Sequence, residues 1–229
     1  MEAIKNLKLF LTLIAMVIVG VISWKILIIG GGVTLCSIPV FCYRITNHLE
    51  PNCTDPPIAG VNDRMWVINK SDIAAVTYNN ANPLIVEGIA LNSGCFAWVY
   101  QGQRNSNKPK SILKVTKYSK MYMHSVGFLI FDNSPTTKAQ LELLDGGRFV
   151  IITQNNAKGT GGNAALEIYG IESGLIVSKN ERDPTNNDTQ GAYDVMADSL
   201  EDSPESHVPR TLFLTDFPTS LAIITAIQG

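Results

Sequence analysis

The residues best equipped for chemistry are few and scattered. His124 and Ser125 form a histidine–hydroxyl pair inside an apolar, strand-like stretch. Adjacent residues of a strand point to opposite faces, so this imidazole cannot serve as base for the neighbouring hydroxyl. His124 therefore reads as a hydrogen-bonded structural histidine, while His48 falls in a linker and His207 in an acidic loop. No GxSxG, HExxH or P-loop pattern is present. The loop Gly159-Thr160-Gly161-Gly162 has the composition of a phosphate cradle but lacks a following helix N-terminus and lysine, so it reads as a hairpin connection. Glu167 and Glu172 flank Tyr169-Gly170, and five positions around a glycine fix no geometry for paired acid–base work. Trp66, Trp98 and Tyr100 read as core or interface aromatics rather than a base-stacking platform. The stretch from Lys25 to Gly32 starts like a dinucleotide-binding strand, but Leu35 takes the third glycine position and Pro39 breaks the helix that would hold the pyrophosphate. The sequence thus assigns no catalytic, cofactor-binding or metal-ligating residue, and the expectation is a protein that is not an enzyme.

Composition narrows the remaining classes. A formal net charge of -2 argues against a general nucleic-acid binder, which needs a basic excess. The four cysteines, Cys36, Cys42, Cys53 and Cys95, include no CxxC pair and no histidine at metal-ligand spacing. A Cys53–Cys95 bridge is open in an oxidising compartment. Residues 1–48 form an apolar N-terminal segment, in which Leu7 to Ile29 is long enough for one transmembrane helix. Gly30-Gly31-Gly32 stops that helix, and a second apolar run, Val33 to Tyr43, follows without a cleavage signal. The segment reads as a genuine anchor or uncleaved signal, with the second run open as a short membrane-dipping piece, or else as a translated upstream stretch ahead of a mature start near Asn52. Residues 49–58, with Pro51, Pro56 and Pro57, are a linker, and residues 59–229 form the folded domain.

Within that domain the elements that must position any site are mostly strands. The organising stretch is Tyr122 to Lys179. The apolar run His124 to Phe131 leads through an N-cap at Ser134 and Pro135 into an amphipathic helix over about 134–145, with Ala139, Leu141, Leu143 and Leu144 mostly on its apolar side. Gly146 closes the helix, and Phe149 to Gln154 returns as a strand. Further strands are expected at Arg64–Asn69, Asp72–Thr77 (a short extended piece or a turn into one), Leu84–Leu91, Cys95–Gln101, Ile112–Tyr118, Ala164–Tyr169, Gly174–Lys179, Gly191–Ser199 and Thr211–Leu214. Asn92-Ser93-Gly94 predicts a hairpin between the third and fourth of these. Leu221, Ile224 and Ile227 predict a short C-terminal helix capped near Thr215 or Asp216. The fold class is mainly β: an antiparallel β-sandwich or barrel with one packed α-helix, a short C-terminal helix and an N-terminal apolar helix.

Charge is segregated along the chain. Arg104, Lys108, Lys110, Lys114, Lys117 and Lys120 form a basic run, while Glu181, Asp183, Asp188, Asp194, Asp198, Glu201, Asp202 and Glu205 crowd the C-terminal third. One positive and one negative surface allow copies to stack head to tail, a heterologous contact that builds rings or tubes.

From Ala59 onward the chain resembles virion-type proteins of tailed phages of Bacteroidetes and, beyond them, phage tail-tube proteins. The resemblance lies in Ala59 to Lys70, His124 to Pro135, Val150 to Asn156, Glu167 to Leu175 and Asp188 to Tyr193. It implies a β-sandwich or β-barrel protomer with one packed helix that forms homo-oligomeric rings, stacks them into a tube, contacts other phage tail proteins and passes DNA as non-specific cargo. Virion localisation follows from that reading. The alternative is a membrane-anchored extracytoplasmic β-sandwich binding module held by a single N-terminal span at residues 7–29.

Overall fold

A computed structural model describes residues 48–49, 58–117 and 119–229. All of these except residues 48–49 belong to one compact unit, Pro51–Gly229. The apolar run at residues 7–29, the N-terminal helix expected there, most of the linker, and Cys53 lie outside the described residues. Among the described residues, no helix is long and apolar enough to cross a membrane.

The fold is mainly β. Among the described residues, eleven strands, β1 (Val61–Asn69), β2 (Ile73–Tyr78), β3 (Ile85–Leu91), β4 (Trp98–Gln101), β5 (Lys108–Val115), β6 (Lys120–Ile130), β7 (Phe149–Asn155), β8 (Leu166–Tyr169), β9 (Leu175–Arg182), β10 (Tyr193–Ser199) and β11 (Arg210–Leu212), join in one sheet, with helices α1 (Pro135–Asp145) and α2 (Phe217–Ala226). The main path runs β2-β3-β11-β8-β7-β9-β10-β6-β5, and β1 adds beside β7 with β4 on its outer side. All pairs are antiparallel except β11 with β3, which makes the sheet mixed rather than purely antiparallel. Strands β7 and β9 meet only at Phe149 and Leu175. There the sheet folds over, so that β9-β10-β6-β5 lies across one face of β1, β7 and β8.

Alternation along the central strands fills two cores at once. Met65 and Val67 of β1 join Phe149, Ile151, Tyr169, Leu175, Val195, Val126 and Phe128, closed by Leu141 and Leu144 of α1. Trp66 and Ile68 point the other way, into Val150, Ile152, Leu166, Ile168, Val86, Leu212 and Ile224 of α2. A strand buried on both faces reads as a continuous apolar run, and Phe149 to Ile152 is one.

Both helices start as their sequences dictate. The Ser134 hydroxyl accepts from Thr137 N–H ahead of Pro135, and Asp216 caps α2 by accepting from Thr219 N–H. Gly146 does end α1, in a right-handed conformation with φ -99°.

Two local readings are corrected by the pairing. The Asn92-Ser93-Gly94 turn does not join a hairpin, because β3 pairs with β2 and β11 while β4 pairs with β1. The stretch turns the chain from one part of the sheet to another, and local turn chemistry cannot choose the partner. Likewise β6, α1 and β7 follow one another in sequence, yet β6 pairs with β5 and β10 and β7 with β1, β8 and β9. Helix α1 therefore carries the chain from one layer to the other.

Ile152 is fully buried, whereas Leu143, expected with Ala139 on the apolar side of α1, is 68% exposed and Ala139 is exposed too, because only Leu141 and Leu144 of that set face the core. Urea unfolding of Ile152→Ala should show a loss of about 2–5 kcal/mol, and Leu143→Ala should stay within about 0.5 kcal/mol of the parent. Equal losses would contradict this placement of the two side chains.

Candidate functional site

The titratable residues that the sequence leaves scattered are gathered at one end of the sheet around the β8–β9 turn. Gly170 and Gly174 hold positive φ of 75° and 81°, and a Cβ on Gly170 would come within 2.7 Å of the Leu175 side chain. Glycine alone fits such a turn, and its shape aims two backbone N–H groups, of Glu172 and Ser173, at one carboxylate. That carboxylate is Glu205, 1% exposed, which accepts from Glu172 N and Ser173 N at 2.9 Å each. Its own backbone exchanges hydrogen bonds with Tyr122 of β6. The segment Glu201 to Pro209, read from sequence as a polar excursion, is thus folded inward by its buried acid. Burial pushes the Glu205 carboxyl above its ordinary range, against the pull of the two N–H groups and of Lys70.

Glu172 faces the other side of the turn. It takes Arg210 Nη2 at 2.5 Å and Ser206 N at 2.8 Å, and lies 3.0 Å from His207 Nδ1. Burial opposes its ionisation, but the Ser206 bond, His207 and the Arg210 charge outweigh it and hold its pKa below the usual carboxylate value. Arg210 is itself buried, donates to the Tyr78 hydroxyl at 2.9 Å and stacks over that ring at 4.6 Å. Lys70 closes the group by donating to Ile171 O, and desolvation lowers its pKa.

His124 sits under this cluster, 1% exposed, edge-on to the Tyr169 ring. Its Nδ1 accepts from Gly170 N at 3.2 Å, which leaves Nε2 to donate to His207 O at 3.0 Å. Both nitrogens are committed, the ring is neutral, and burial drops its pKa to about 4. The arrangement is a lock that fastens β6, β8, β9, β11 and the loop ahead of β11 together. Ser125 lies on the opposite face, as the strand reading requires. Glu167 is turned away onto the Tyr169 hydroxyl at 2.6 Å.

The glycine loop before β8 spans the β7–β8 hairpin, closed by Asn155 N to Ala165 O at 2.7 Å. Gly162 backs against the start of α2, and Lys158 lies over the Phe217 ring at 4.1 Å. Trp66 is core, Tyr100 half-buried and Trp98 52% exposed. Cys95 is a free thiol near Asp72. Among the described residues, no group of three or more His, Cys, Asp or Glu is placed to hold a metal.

The basic run resolves into an open sheet edge. Among the described residues, strand β5 pairs with β6 alone, through register pairs from Lys108 with Gly127 to Val115 with Lys120. Alternation sets Lys108, Lys110, Ile112 and Lys114 on one face and Pro109, Ser111, Leu113 and Val115 on the other. Ile112, Leu113 and Val115 are 47%, 48% and 62% exposed, because this hairpin runs out beyond the core. Lys114 lies 3.8 Å from Glu201, whereas no acid among the described residues pairs with Lys108, Lys110 or Lys120. Several acids are internally occupied: Asp194 and Glu181 bind Lys179, and Asp198 accepts from Ser178. The sequence marked the charge on this stretch, but it could not show that the strand lies at an open edge.

A second open edge belongs to β4. It lines a cleft of about 780 Å³ with the end of β6 and helix α1, floored by Met65, Val67, Phe128, Leu141 and Phe149. Asp132 stands in its wall, held ionised by the Thr137 and Ser134 hydroxyls.

Because the His124 pKa is depressed in the fold, its contribution to stability is present above the unfolded value of 6.5 and is lost as pH falls towards about 4. Stability of the wild type minus that of His124→Gln, followed by urea unfolding, should fall by on the order of 2–3 kcal/mol between pH 7 and pH 4. A flat difference would show that the ring is not held neutral. Glu172→Gln strips the charge partner from buried Arg210 and should cost about 3–5 kcal/mol, of which the double variant Glu172→Gln with Arg210→Met recovers part. Equal losses in single and double variants would refute the pairing.

Compared with protein-family models, with curated proteins and with solved structures, the chain finds no match in any of the three.

Proposed function

We propose that this chain is a self-assembling structural protein of a virion, a tail-tube-like protomer whose copies join into rings and stacked tubes that conduct DNA. One observation carries the reading: β5 exposes Ile112, Leu113 and Val115 at an open sheet edge, beside Lys108 and Lys110, which pair with no acid among the described residues. An open edge bearing apolar side chains is completed by another polypeptide, and its lysines reject a like edge while accepting an acidic one. Exposed Asp188, Asp202 and Glu201 supply negative charge on other loops. The titratable cluster supports the same reading, because its groups are spent on one another and stiffen the protomer. Contacts with other tail proteins and a lumen for DNA as non-specific cargo belong to this proposal. The apolar run Leu7 to Ile29 favours a second reading, a membrane-anchored extracytoplasmic binding module.

Measured in solution from Pro51 onward, the compact unit should gain mass with protein concentration at low salt and lose it as salt screens the lysines. A strictly monomeric species at high concentration and low salt would overturn the assembly reading. Recovery of the full chain only in the soluble fraction would remove the anchor.

A further inference from the structure

The open edge of β4 is partly used already, and the way it is used shows what it accepts. Gly102 N donates to Asp63 O, so Gly102, Tyr100 and Trp98 turn their backbone groups towards β1. Ala97, Val99 and Gln101 turn theirs outward. At Ala97 the outward groups are taken by the C-terminal residues in strand fashion: Ala97 N donates to Ile227 O, and Gly229 N donates to Ala97 O. The outward N–H and C=O groups of Val99 and Gln101 have no partner among the described residues and stand at the mouth of the 780 Å³ cleft.

Resting on the assembly reading above, we infer that this edge and cleft form the acceptor for strand β5 of a second copy, which adds beside Val99 and Gln101 and lowers Leu113 and Val115 into the cleft. The two surfaces match in three respects. Each presents an unpaired strand edge, and the joined sheet leaves neither open. The face of β5 carrying Ser111, Leu113 and Val115 is short and apolar, as is the cleft between Tyr100 and Leu141. The third match is one of overall charge: β5 is basic through Lys108, Lys110 and Lys114, whereas Asp132 stands in the cleft wall and Glu142 on the exposed flank of α1, so the two surfaces attract at a distance although the lysine face turns away from the cleft. The edges differ in character, so the contact is heterologous and propagates from copy to copy.

The test uses the full-length chain and a synthetic peptide of residues 108–115, Lys-Pro-Lys-Ser-Ile-Leu-Lys-Val. The peptide should bind, dissociate chain oligomers in competition, and slow amide hydrogen exchange at Val99 and Gln101, while Trp98 and Tyr100, already bonded to β1, change little. A peptide carrying Leu113→Asp should bind at least about tenfold weaker, the cost of forcing one charge into an apolar slot. Leu143→Arg in the chain narrows the rim at an exposed position, so it keeps the fold and should weaken binding similarly. Oligomers that form normally but ignore the peptide would overturn the β4–β5 contact and leave assembly standing. Peptide binding without protection at Val99 and Gln101 would also overturn it. A chain that stays monomeric while binding the peptide removes assembly, and with it the second copy as occupant.

Discussion

The constraint on which this fold rests is that its central strands have no solvent face. Strands β1, β7 and β8 are covered by the folded-over layer and α1 on one side and by α2 with the β2–β3 region on the other. Every residue from Met65 to Ile68 and from Phe149 to Ile152 is therefore core. A one-residue slip in register would exchange the two side-chain sets, placing Trp66 where Met65 packs, and close packing does not tolerate the change in volume. The register of the centre is thus fixed twice, and the outer strands hang from it.

The polar lock depends on that frame. Burying Glu205, Arg210 and His124 together is costly, and such a cluster stands only where each group finds its partners. The partners come from β6, the β8–β9 turn, the loop before β11 and the end of β2, which the central strands hold in place. In return the lock pins a long polar loop that has little apolar surface of its own. Within it, both His124 ring nitrogens are hydrogen-bonded and the Glu205 carboxylate accepts from two backbone amides, so these groups hold the loop in place.

Away from the centre the sheet ends in two unlike edges. The β5 edge is apolar and basic on alternate faces and runs past the core, whereas the β4 edge borders a cleft with an acid in its wall. At both edges, among the described residues, backbone groups and apolar side chains face solvent.

The sequence by itself determined the local part of this structure. The mainly-β class, the helix from Pro135 with its Ser134 cap, the C-terminal helix behind Asp216, the glycine loop as a hairpin and the structural role of His124 all follow from periodicity, capping and the two-residue alternation of strands, which act over a few neighbouring positions. Most strands were also legible within a few residues, although β5 starts at Lys108, four positions before the apolar residues that mark it. Tertiary structure alone decided the pairing: that β3 and β4 part company after Asn92-Ser93-Gly94, that β11 runs parallel to β3, and that Glu172, Glu205, His207 and Arg210 converge with Lys70 and His124. Strand partners are selected by long-range burial on two faces, and a buried acid such as Glu205 looks the same in sequence as its exposed neighbours Glu201 and Asp202. The distinction arises only when a turn built on Gly170 and Gly174 brings two amide donors to meet it.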